Sequence, residues 1–353
     1  MSPPTPAPGA SLAKAALPAS GLPARILAVL RAHGFITLAD LRKPLPTDHK
    51  LDADDRALLA RIAAYAAAAC AQRPPTLNLR EWLALFLPAR QADAIQLHFA
   101  FDDPTASLTR HEMRLRETGF KLGVTRERVR QLLNLALGTL RQALPLQAAE
   151  PFYRAATVTL QAGGGVLEPA EVAAQAAPIW GDASPVGAFL LLVQLVPGRL
   201  IRYRDFFSLY AATAIERAEK ALVDRLAAAP GLQPLAALAA RLPKSARPAG
   251  ASDFVPLLRA LLRHRTDTLL TLDDRAGLAV RDTPELLREV LAANGEMSLR
   301  ALVAAFNAGL PPACQRGSGF LRAVLLNDPL IRKTAPNRYA LPGGLQANLP
   351  LDS

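Results

Sequence analysis

The stretch LGVTRERVRQ, residues 122–131, decides how the rest of the chain is read. It holds Arg126, Arg128 and Arg130, and Arg141 follows eleven residues after the last of them. Gly123 suits a tight turn, because a residue without Cβ takes positive φ at no steric cost. Thr125 is a natural N-cap, its hydroxyl accepting from a backbone N–H two or three residues on. A helix is therefore predicted from Arg126 towards Leu140. Val129, Leu132, Leu133, Leu137 and Leu140 form one apolar stripe along it. Arg126, Glu127, Arg128, Arg130 and Gln131 are left on its exposed sides. A helix held by its apolar face after a glycine turn is the second half of a helix-turn-helix, and its first residues can enter a major groove. Arginine bonds guanine bidentately there, glutamine bonds adenine, and glutamate accepts from cytosine. Further arginines meet phosphates and set register.

Charge supports that placement. The 353 residues carry a formal charge of +11 and are 51% hydrophobic, enough for real cores in two to four domains. So basic a chain points to a polyanionic partner. Between Thr109 and Gln142 eight basic residues, Arg114 and Lys121 among them, stand against three acidic ones. That excess of +5, nearly half of the total, lies in a tenth of the length. Double-stranded DNA is the expected partner.

Other classes find little support. Cys70 and Cys314 lie far apart and suggest neither a disulfide framework nor a zinc site. The longest apolar run, VGAFLLLVQLV at 186–196, falls well short of the roughly 18 residues of a membrane span. The Pro-, Ala- and Ser-rich start, residues 1–21, reads as a disordered leader. A cytoplasmic, nucleoid-associated protein that neither enters membranes nor takes a small-molecule substrate is expected. His33, His49, His98, His111 and His264 have no metal-ligand spacing. Asp54-Asp55, Asp102-Asp103 and Asp273-Asp274 sit in loop-like settings and read as turn and cap residues. The GGG at 163–165 lacks the Lys-Ser/Thr of a phosphate loop. No catalytic residue, metal or cofactor is expected, and the chain does not read as an enzyme.

Ala/Leu-rich segments of helical period dominate, punctuated by Pro and Gly, so the fold is expected to be mainly α, with short helices. A helical domain is predicted over 22–72 and a helix-turn-helix domain over 79–145. Beyond them runs a weak internal repeat. GGVLEPAEVAAQ from Gly164, PGLQPLAALAAR from Pro230 and NGEMSLRALVAA from Asn294 align, with Gly165, Gly231 and Gly295 spaced 66 and 64 residues apart. Each follows an amphipathic helix and precedes two more, and each unit closes on an extended segment. Three helices and a β-hairpin make a winged helix, so tandem units are predicted over 151–212, 215–281 and 283–343, with a tail at 344–353. The hairpin is clearest in the last unit, where Leu330-Ile331 and Tyr339-Ala340-Leu341 flank the turn TAPN. Arg332, Lys333, Asn337 and Arg338 are its candidate DNA contacts. The second unit, with Asp273 and Asp274 in its wing, is the one expected to have lost DNA contact, because acid repels phosphate.

The segment LRETGFKLGVTRERVRQLLNLALGTLRQAL, 115–144, resembles region 4 of the primary bacterial sigma factors, the module that reads the promoter −35 element. Upstream, WLALFLPARQADAIQLHFAFDD, 82–103, is similar to the first helices of that region, so the likeness covers about 65 residues. It implies that Arg126, Glu127 and Gln131 read bases and that Arg128 and Arg130 hold phosphates. Two departures limit it. Met113-Arg114-Leu115-Arg116-Glu117-Thr118 replaces the family's acidic entry, which adds DNA-facing charge and puts the contact with RNA polymerase in doubt. Nothing resembles the aromatic, basic segment that melts the −10 element. At the N-terminus LPARILAVLRAHGFITLADL, 22–41, resembles the start of the C-terminal domain of the RNA polymerase alpha subunit. By that likeness Arg25 is a DNA contact in a helix–hairpin–helix, although no second glycine hairpin follows. The expectation is a sequence-specific bacterial transcription regulator with a sigma-like reading head, with RNA polymerase as a second candidate partner. The alternative is a protein–protein adaptor with only non-specific DNA affinity.

Overall fold

The computed structural model describes residues 10–47, 50–103, 111–175, 178–229, 231–251 and 253–342. His49 and the tail at 344–353 lie outside the described residues. The chain divides into two compact units, Met1–Ala162 with Leu167–Leu209, and Gly163–Val166 with Tyr210–Ser353.

The first unit begins with α1 (Ala10–Ala13) and α2 (Ala24–Ala32), then α3 (Ala53–Cys70), α4 (Leu79–Phe86) and α5 (Ala89–His98). There follow α6 (His111–Leu122), α7 (Arg126–Leu140), α8 (Ala143–Ala148) and α9 (Glu150–Ala162). It closes with β1 (Val166–Leu167), α10 (Pro169–Ala173), α11 (Pro185–Leu195), β2 (Ile201–Tyr203) and β3 (Phe206–Ser208). Local chemistry sets the helix starts. The Asp52 carboxylate accepts the Asp55 N–H before α3, and Asn78 and Glu81 form a reciprocal capping box before α4. One apolar core runs from Leu12 to Phe207. Its aromatic spine joins Trp82, Phe152, Trp180, Phe189 and Phe207 with ring centroids 5.3–6.2 Å apart.

Part of the stretch expected as a disordered leader packs into the core. Leu12, Leu17 and Ser20 are buried, and the Leu17 N–H bonds the Ile36 carbonyl at 2.8 Å. Two leucines with a place in the core outweigh the Pro- and Ala-rich context.

The second unit holds α12 (Ala212–Ala228), β4 (Gln233–Pro234), α13 (Leu235–Arg241), α14 (Val255–Arg263), β5 (Thr268–Leu270) and β6 (Arg275–Leu278). The same order returns in α15 (Ala279–Asn294), β7 (Met297–Ser298), α16 (Leu299–Ala308), α17 (Ser318–Asn327), β8 (Arg332–Ala335) and β9 (Arg338–Ala340). Three small sheets result, with strand orders β1-β3-β2, β4-β6-β5 and β7-β9-β8. The fold is mainly α with small β wings. A strand before the second helix of each repeat joins the hairpin; two residues long, it gives no alternation in sequence. α12 begins at Ala212 and α15 at Ala279, where Leu278 leaves the sheet straight into the helix.

Candidate nucleic-acid interface

The site is built around a turn that leaves no room for a side chain. The Val124 N–H bonds the Gly119 carbonyl at 2.9 Å, and a Cβ on Gly119 would lie 2.7 Å from the Val124 carbonyl oxygen. Gly123 supplies the left-handed step at φ 65°. Thr125 caps α7, its hydroxyl accepting the Arg128 N–H at 3.2 Å. These contacts fix the end of α6 against the start of α7.

Burial then divides α7 as the periodicity predicts. Val129, Leu132, Leu133, Ala136 and Leu140 are buried, and Leu137 is half-buried. Thr125, Arg126, Glu127, Arg128, Arg130 and Gln131 are all exposed, with Lys121 exposed at the end of α6. Two pairs stitch this face together. Arg130 donates to both Glu127 carboxylate oxygens at 2.9 and 2.7 Å, and Arg128 donates to the Gln131 side-chain oxygen at 3.1 Å. The bond and charge of Arg130 hold the Glu127 carboxyl below the ordinary carboxylate range, and Glu127 raises the Arg130 guanidinium in turn. Asn134 and Leu135 are exposed one turn further along. Helical spacing places Asn134 in line with Arg130 and Gln131, a position that the sequence reading passed over.

Two other predicted residues stand elsewhere. Arg114 is half-buried and lines a small pocket with His98, Leu190 and Arg202, and burial lowers its guanidinium. Its place is therefore beside α11 and β2, not on the face of α7. Arg25, on α2, is ion-paired with the buried Asp55 carboxylate at 2.6 Å. Arg332, Lys333 and Arg338 are exposed on β8 and β9 of the second unit.

The rest of the first unit grips the back of this helix-turn-helix. α11 is buried along almost its whole length. A Cβ on Gly187 would lie 2.4 Å from the Phe99 carbonyl oxygen, the Ser184 N–H bonds the Phe101 carbonyl at 2.7 Å, and Arg141 donates to the Gln194 carbonyl at 2.7 Å. On another side the Trp82 indole N–H bonds the Pro145 carbonyl at 3.1 Å. The exposed polar face of α7 is thus carried on a buried, apolar support.

The family model for sigma-70, region 4 matches residues 86–142. The span takes in α5, α6 and α7, so the chain carries a sigma region 4-like helix-turn-helix of DNA-binding type. Neither any curated protein nor any solved structure matches the chain. Among the described residues no cluster of His, Cys, Asp or Glu could hold a metal ion, and no helix is long and apolar enough to cross a membrane.

Proposed function

We propose that this protein is a sequence-specific double-stranded DNA-binding regulator of transcription, bacterial in type, with α7 as its reading helix. The observation that carries this is the division of α7: six adjoining polar residues, Thr125 to Arg128 with Arg130 and Gln131, are exposed above a wholly apolar buried stripe. Arg126 and Gln131 read guanine and adenine, Glu127 accepts from cytosine, and Arg128, Arg130 and Lys121 hold phosphates. No chemical step is assigned to it.

Selection of bound sequences from a random duplex pool tests this, run beside an Arg126→Ala/Gln131→Ala double variant. An enriched motif that the variant loses is expected. Phe120, 90% exposed on α6, favours a second reading, in which this domain is an adaptor that meets RNA polymerase and holds DNA without sequence preference. Equal, weak binding by both proteins with no enrichment would put the adaptor first.

A further inference from the structure

The three winged units do not offer the same surfaces. In the first, the third helix, α11, is spent on packing inside the first unit. In the second, α14 buries Leu257, Leu258, Ala260, Leu261 and Leu262, and its outer strand β5 is buried throughout. That unit's wing is also neutralised within itself. Asp273 pairs with Arg275 at 2.8 Å, Arg275 with Glu289 at 2.9 Å, and Arg259 donates to Asp274 at 2.9 Å.

The last unit differs in both respects. Its outer strand β8 is exposed at Arg332, Lys333 and Thr334, and its third helix α17 exposes Phe320, Arg322, Ala323 and Leu326. Among the described residues no acidic side chain pairs with Arg322, Arg332 or Lys333, and Arg338 meets only the exposed Glu296, at 3.3 Å. Asn337 turns this hairpin, the arm, at φ 59°, with β8 on the edge of its three-stranded sheet. The exposed arc of α17 is mostly apolar at Gly319, Phe320, Ala323 and Leu326, with Ser318, Arg322 and Asn327 as its polar groups.

We infer that the last winged unit is a second, sequence-independent DNA contact, in which Arg332 and Lys333 of β8 hold backbone phosphates. This rests on the DNA-binding reading of the protein, but its ligand chemistry is the phosphodiester, not a sequence. The hairpin and α7 then divide the work: the arm adds affinity and salt dependence, and discrimination stays on α7.

The test is full-length protein titrated against two labelled duplexes of equal length, one carrying the selected motif and one unrelated, over a series of salt concentrations. Each lost phosphate contact makes the slope of log affinity against log salt shallower by about 0.9 on B-form DNA. The Arg332→Ala/Lys333→Ala variant is expected to lose about 1.8 of slope on both duplexes and to select the same motif as the parent. Arg332→Lys/Lys333→Arg should restore the slope, which separates loss of charge from loss of folding. An unchanged slope would overturn the proposal and leave the two cations as guards of an exposed sheet edge. A loss confined to the selected duplex would overturn it too, by making the arm a base reader. If no motif is enriched, the reading of α7 fails, yet the slope on the unrelated duplex still decides the arm.

Discussion

Arg130 donates two hydrogen bonds to Glu127, and that pair sets the charge α7 presents before any base is met. An exposed pair of this kind adds little to stability, so its meaning lies in binding. With Glu127 ionised, one of the arginines on this face is partly neutralised, which restrains indiscriminate attraction to phosphate. Glu127→Ala should therefore bind unrelated DNA more tightly at low salt, with a slope steeper by about 0.9 and weaker discrimination among sequences. Anisotropy titrations on matched and unrelated duplexes measure this, and unchanged binding to the unrelated duplex would rule it out. Acid should act in the same direction. Because Arg130 depresses the Glu127 carboxyl, the residue stays ionised to lower pH than an unpaired glutamate. Its restraint is thus present at neutral pH and is lost as pH falls through its lowered titration.

α7 and α11 show what a single element's sequence does and does not disclose. Thr125, Gly123 and the Val129–Leu140 stripe are local features, so their cap, turn and buried face were legible from neighbouring residues alone. α11 was legible in part. PVGAFLLLVQL is apolar all round, the mark of a helix with no exposed face, yet winged-helix periodicity alone gives it the place of a reading helix. Arg25–Asp55 and Arg199–Glu150 join residues 30 and 49 positions apart, and no spacing rule reaches across such gaps. The same holds for Arg114, whose sequence context is basic and open but whose structural context is a pocket. Because α11 is the buttress of the helix-turn-helix, cutting into it should loosen the whole first unit. Leu191, fully buried, is the place to cut. Leu191→Ala should cost about 2–5 kcal/mol by lost burial and the cavity it leaves, measured by urea unfolding. A cost of only a few tenths would mean that α11 is not a structural support for α7.

For the molecule as a whole, the +11 charge becomes a quantity that binding can count. Arg25, Arg80, Arg199, Arg259, Arg265, Arg275 and Arg281 each hold a carboxylate and so add nothing to that excess. The excess lies on the other cations, and only those on a face that meets DNA count towards binding. The phosphate contacts argued above are Lys121, Arg128 and Arg130 on the helix-turn-helix, and Arg332 and Lys333 on the last wing. If each neutralises one phosphate, the slope of log affinity against log salt should be about −4.5. Raising salt from roughly 50 to 200 mM would then weaken binding by roughly 500-fold. The arm variant should bring the slope to about −2.7, so the two surfaces can be counted separately in one series of titrations. A parent slope shallower than about −2 would sink this count, because fewer cations would then be engaged than the helix-turn-helix face alone presents. It would also place the remaining basic charge on surfaces that meet something other than DNA.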